Sequence, residues 1–333
     1  MNLEIIPTGT PIDVLNGGVR NSSISLLYGP TRCGKTTLMI AMANYFIEKY
    51  NSKVVYIDTE QTLSQKSFKN PNMVNVIYAS SLSEQDRAIK ELVKNVEEDV
   101  KLVVVDTMTG HFHKEVLKAP AKLRAKIAAD LSGRLVGQIA NLRRIMNDRI
   151  IFITAHLRSP VGEHFKMHVL RKMAEAVKQG KYTPSIYDYE RYLARDQVSW
   201  IGGQGLGMHV QFQFRIFVDV DGSRIIRIEK WPMVPNYCVK YIQEGEGFKV
   251  LGEKFLMGRE MMSRLLRHEV EMILSEEPIE VEAVREEGIE VEEAGEEEIK
   301  KEVEERKKTK KTRELKLPRT PGIDELVERE KES

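Results

Sequence analysis

A chain of 333 residues can bury a full hydrophobic core in one large or two ordinary domains, which excludes a small fold held together by disulfides. Its longest apolar runs, such as residues 150–154, fall far short of the roughly 20 residues needed to span a bilayer, so a membrane is not an expected partner. The net charge of +1 hides an asymmetry: residues 276–333 carry 21 Asp/Glu against 13 Lys/Arg, leaving a body of +9, a distribution that suits polyanion binding and plain solubility equally. The opening residues form no charged and apolar leader, and Cys33 and Cys238 form neither a disulfide framework nor a zinc pattern. A reducing, cytoplasmic setting is the expectation.

The first 275 residues read as one alternating α/β domain. A short apolar run at residues 24–28 leads to Gly29, and residues 36–50 have the composition and apolar face of a helix. Strands are expected at residues 54–57, 74–78, 102–105 and 150–153, with helices at 83–96 and 123–146. Strands apolar on both faces and separated by helices imply a mostly parallel sheet flanked by helices. Residues 211–227 alternate around Asp221-Gly222, which predicts a C-terminal antiparallel hairpin extension; strands at 238–242 and 248–251 and a last helix at 259–274 follow. From residue 276 to 333 the chain is a charged tail, too poor in apolar surface to fold alone, and the expected boundary lies there.

Gly29-Pro30-Thr31-Arg32-Cys33-Gly34-Lys35-Thr36 matches GxxxxGK[ST] directly between an apolar strand and a helix, with Thr37 following in the first turn. Glycines let such a loop wrap so that its amides face inward, and the helix presents its positive end to phosphate. Lys35 would neutralise phosphate charge and the Thr36 hydroxyl would ligate Mg²⁺. Leu102-Val103-Val104-Val105-Asp106 delivers an acid to the carboxyl edge of a buried strand, the place for the second metal ligand. Ile57-Asp58-Thr59-Glu60 delivers Glu60 to the same edge, where it can polarise an attacking water.

These motifs, with Pro7-Thr8-Gly9, Leu15-Asn16-Gly17-Gly18-Val19, Thr154-Ala155-His156-Leu157 and Gly202-Gly203-Gln204, resemble the ATPase core of the RecA/RadA recombinases over about residues 5–250. The similarity is strongest to archaeal RadA paralogues of the RadB and RadC groups. It implies a RecA-like P-loop NTPase using ATP and Mg²⁺ in homologous recombination and DNA repair, as a recombinase paralogue or mediator. It also implies Lys35 and Thr36 on phosphate and metal, Asp106 as the Walker B carboxylate, Glu60 as catalytic base and His156 as a γ-phosphate sensor in place of an Asn-Gln pair. Lys230 would act in trans on a neighbouring subunit's nucleotide. Gln61 stands where the family has glycine, and Thr62 to Ser67 replaces its arginine-rich adenine segment. The chain begins almost at the core, so filaments built through an N-terminal polymerisation segment are not expected.

The same resemblance places two loops against DNA, and their mixture of basic and aromatic residues favours single strands over double. The first follows Asp106 and offers Phe112, Lys114, Lys118, Lys122 and Arg124; the second, between 158 and 202, offers Arg158, Lys166, Arg171, Lys172 and Lys178. Basic side chains neutralise phosphates and aromatics stack on bases; the solvated face of a helix is the alternative for the first segment, and helix packing or a partner groove for the second. A RadA-type recombinase or another repair protein is the expected protein partner, in a homo- or hetero-oligomer. A KaiC-like, nucleotide-dependent interaction protein that touches no DNA is the competing reading. A third is a tail that mimics DNA and covers the basic loops.

Overall fold

The computed structural model describes residues 4–120, 123–156, 209–262, 264, 265 and 268, all within the first of two compact units, Met1–Glu276. A short antiparallel pair, β1 (Ile5–Ile6) and β2 (Val19–Arg20), brackets α1 (Ile12–Asn16) at the start of the chain. The parallel half then runs β3 (Ser23–Gly29), α2 (Lys35–Tyr50), β4 (Lys53–Asp58), β5 (Val74–Tyr78), α3 (Leu82–Asn95), β6 (Val100–Asp106), α4 (Gly110–Lys118), α5 (Arg124–Arg143) and β7 (Ile150–His156). The C-terminal half is β8 (Phe212–Val218), β9 (Arg224–Lys230), β10 (Tyr237–Glu244), β11 (Gly247–Val250) and β12 (Phe255–Leu256). One sheet has the order β11-β10-β9-β8-β3-β7-β6-β4-β5, with β12 beside β10. Strands β8, β3, β7, β6, β4 and β5 are parallel, and β9, β10 and β11 extend them as an antiparallel ribbon.

Period-two alternation explains why both faces are covered. Val54, Tyr56, Leu102, Val104 and Phe152 face Leu38, Met39, Met42 and Phe46 of α2, while Val55, Ile57, Val103, Val105, Ile151 and Ile153 face α3, α4 and α5 through Ile89, Phe112, Val116, Leu135 and Ile139. All seven residues of β3 are buried, Ser23 and Ser25 included, because β7 and β8 flank the strand on either side. Helix α3 starts where Ser81 accepts a hydrogen bond from the Glu84 amide (3.2 Å) and the Glu84 carboxylate accepts one from the Ser80 amide (2.7 Å), satisfying donors the helix cannot use itself.

One element departs from the loop expected of it. The segment after Asp106 is a helix, α4, because Phe112 and Val116 stand four apart and fall on one face that packs into the core. The last expected helix is seen at its described positions 259–262, 264, 265 and 268. The Asp221-Gly222 turn is as expected: Gly222 has φ 77°, where a side chain would be strained, and the turn is braced by Lys240 on Asp219 (3.0 Å) and Asp221 (2.8 Å) and by Arg264 on Asp219 (2.8 Å). Among the described residues no helix is long and apolar enough to cross a membrane.

Candidate nucleotide site

The carboxyl edge of the parallel strands gathers the chemistry. β3 ends in Gly29, where an added Cβ would stand 2.8 Å from the Ile216 carbonyl oxygen and 2.9 Å from Cys33 Sγ, so only glycine fits. The loop then turns through two left-handed residues, Arg32 (φ 62°) and Gly34 (φ 96°), the backbone alternation that directs successive amides to one side. Gly34 caps α2 and itself has no side chain to bond the first-turn amides. Lys35 is buried and crosses the loop, donating from Nζ to the carbonyls of Gly29 (3.1 Å) and Pro30 (2.8 Å). Cys33 is fully buried, whereas Thr31 and Arg32 are exposed and Thr36 and Thr37 half-buried. Converging amides, a helix start and a lysine held inside the loop fit a polyphosphate.

Asp106 ends β6 two strands away, on the same edge: Gly29 is in register with His156 on β7, and Thr154 of β7 donates its hydroxyl to Asp106 Oδ1. Tyr56 donates to Asp106 Oδ2 at 2.7 Å from the neighbouring strand β4. Burial first, and then the Asp106 charge, push the Tyr56 hydroxyl well above its ordinary value, so it remains a donor at every physiological pH. Thr59 locks the ends of β4 and β6 together, donating to the Thr107 carbonyl and accepting from the Thr107 amide, both at 2.8 Å. The acid of this edge is thus fixed by three strands.

Glu60 follows β4 on a turn organised by Asp58. Asp58 Oδ1 accepts the amides of Glu60 (3.0 Å) and Gln61 (2.9 Å), and Oδ2 accepts that of Leu63 (2.9 Å). Gln61 takes the left-handed φ of 56° that would suit glycine, at a cost of about 1–2 kcal/mol that the Asp58 bonds offset. The Glu60 carboxylate meets His156 Nε2 at 2.7 Å. That hydrogen bond, then the charges of His156, Lys35 and Lys114, hold the Glu60 carboxyl below its ordinary value against the opposing effect of burial. An ionised carboxylate only accepts, so the His156 proton on Nε2 is the donor. His113 of α4 stands edge-on to His156 with ring centroids 6.2 Å apart, and burial pulls its own ring down to about 3, so it is neutral. A phosphate-binding loop, a buried acid and an ionised carboxylate on one edge are the parts needed to bind a nucleoside triphosphate with metal and activate water.

The remaining sequence expectations divide. Lys35, Thr36, Asp106, Glu60 and His156 share one edge. Phe112 is corrected: it is 1% exposed and packed in the core, so it presents no face to a base. Arg124 is half-buried and donates to the carbonyls of Ala119 (3.0 Å) and Leu117 (3.3 Å), completing the end of α4 in place of a free phosphate contact. Lys114 and Lys118 are exposed, Lys118 beside Glu115 at 3.2 Å. Lys122, Arg158, Lys166, Arg171, Lys172 and Lys178 lie outside the described residues. Within its own chain Lys230 sits at the opposite edge, opposite Gln213 on β8, and donates to the Val210 carbonyl at 2.8 Å. Sequence reasoning gave Asp58, Tyr56, Thr154 and His113 no supporting role at this edge. An Asp two residues before Glu60 signals a turn of this type, but the other three show only as unremarkable strand or helix positions.

Comparison with known proteins agrees with this architecture. The Rad51 family model matches residues 3–167. The DNA repair and recombination protein RadB of Archaeoglobus fulgidus is 30% identical over 171 residues, covering 49% of this chain and 75% of that protein. RadB of Methanococcoides burtonii is 23% identical over 194 residues, covering 53% of this chain and 84% of its own length. The DNA repair and recombination protein RadA of Ignicoccus hospitalis is 27% identical over 185 residues, covering 48% and 56%. With a mostly parallel sheet, its phosphate loop and its antiparallel extension in the order found here, the chain belongs to the RecA/RadA superfamily, close to the archaeal RadB paralogues.

Proposed function

We propose that the protein binds and hydrolyses ATP with Mg²⁺ and uses the nucleotide cycle to act on DNA in recombination and repair, as a recombinase paralogue or mediator. The observation that carries this reading is the meeting of Lys35, Asp106 and the His156-bound Glu60 at one sheet edge. Lys35 would leave the Gly29 and Pro30 carbonyls for the β- and γ-phosphates, while the amides of the loop cradle them. The Thr36 hydroxyl and Asp106 would hold Mg²⁺, which when bound neutralises charge on the transferred phosphoryl oxygens. Glu60 would take a proton from the attacking water, and His156 would report on the γ-phosphate. Exposed Lys114 and Lys118 would meet DNA phosphates, with single strands favoured, and a RadA-type recombinase would be the partner. The charged segment 276–333 would be a tail separate from the core 1–275.

The test is nucleotide binding and turnover in wild type and two variants. Lys35→Ala is expected to abolish ATP binding; Glu60→Gln is expected to keep binding and lose turnover. Unchanged turnover in Glu60→Gln removes Glu60 from the chemistry. DNA binding is expected to weaken steeply between two salt concentrations, and a flat or absent response supports the interaction-protein reading instead.

A further inference from the structure

The first residue of β9, Arg224, reaches across to the phosphate loop. Its Nε donates to the Cys33 carbonyl at 2.9 Å. The same side chain lies so close to Gly34 that an added Cβ would stand 3.0 Å from Nε and 3.4 Å from Cδ. Among the described residues the one cis peptide is Asp106-Thr107, so the bond joining Cys33 to Gly34 is trans. In a planar trans peptide the carbonyl and the N–H point in opposite directions. Holding the Cys33 carbonyl outward on Arg224 therefore turns the Gly34 amide away from the guanidinium, toward the side of the loop that faces its ligand.

Arg224 is itself well placed to act as a fixed post. It is in register with Val218 on β8 and Tyr241 on β10, and the turn just before it is tied down by the Asp219, Asp221, Lys240 and Arg264 network. Lysine would supply a donor but not the planar head that fills the space over Gly34.

We propose that Arg224 is a positioning residue of the nucleotide site: through the Cys33 carbonyl it presets the Gly34 amide for a polyphosphate and links the loop to the β8–β9 hairpin. The inference rests on reading the loop as a nucleotide site. Binding of Mg-ADP and Mg-ATP to the full chain, measured by titration calorimetry, tests it in wild type, Arg224→Met and Arg224→Lys, with thermal melting of each protein without nucleotide. Loss of a charge-assisted bond that orders one phosphate-facing amide is expected to weaken both nucleotides on the order of ten-fold in Arg224→Met. Arg224→Lys should recover part of the affinity, and the melting temperatures without nucleotide should stay close together. Wild-type affinity in a folded Arg224→Met protein overturns the inference, as does a loss that follows only the fraction of folded molecules. If Arg224→Met does not fold, Arg224→Gln replaces it with the same expected and refuting results. A wild-type chain that binds neither nucleotide removes the site itself, whereas binding that ignores Arg224→Met removes only the role of Arg224.

Discussion

Acidification should destabilise this protein through His113 before its carboxylates begin to titrate. Burial lowers the His113 ring from an ordinary 6.5 to about 3 in the folded chain, while the unfolded chain regains the ordinary value. Between those two values the unfolded state binds the extra proton, so the stability due to the neutral ring is complete above about pH 6.5 and lost as pH falls toward 3. Linkage over this window gives a loss of about 2 kcal/mol between pH 8 and pH 5 from this one group. Glu60, whose carboxyl lies below its ordinary 4.5, loses its contribution only as pH falls further through the acid range, so it does not mask the effect. Urea unfolding at pH 8 and pH 5 of wild type and His113→Phe reads the difference directly. Phenylalanine keeps a ring against Phe112 and His156, whose centroids lie 6.0 and 6.2 Å away, but it carries no proton to gain. Wild type is expected to lose about 2 kcal/mol more than the variant on going to pH 5. Equal losses in the two proteins refute the burial of a neutral His113.

Three further substitutions probe the fold around the site. Phe112→Ala should cost about 3–5 kcal/mol in urea unfolding because it empties a core position, and a loss confined to DNA affinity would contradict its buried placement. Tyr56→Phe removes one of the two side-chain donors that buried Asp106 has among the described residues and should destabilise by about 1.5–3 kcal/mol; an unchanged unfolding midpoint would show that the bond carries nothing. Gly133 and Gly137 lie in the interior of α5 with open space where a Cβ would go, so Gly133→Ala and Gly137→Ala should each raise stability by about 0.5–1 kcal/mol, and lowered thermal midpoints would count against that geometry.

The elements that sequence reasoning found best are those whose signal is local. An apolar run, a glycine loop and a helix-forming stretch sit side by side at residues 23–50, and β3 and α2 form there within a residue of expectation. The segment after Asp106 was harder, because Phe112 and the basic residues around it satisfy two patterns at once. As a loop they form a stacking surface; as a helix with Phe112 and Val116 on one face they form core and a solvated rim. Only the surface offered by β6, β7 and α5 settles the choice, since burying that face removes apolar area from water.

What the order of residues determined by itself is the chemistry at hand: a lysine and a threonine at the start of one helix, an acid after four apolar strand residues, and a glutamate two positions past another strand. Tertiary structure alone decided their arrangement. Glu60 meets His156 across 96 positions of chain, and Arg224 reaches Cys33 across 191. Local periodicity reports which side of an element faces inward, but it carries no information about which distant element lies opposite. That pairing is set by strand order and register, which follow from how the whole sheet buries both its faces.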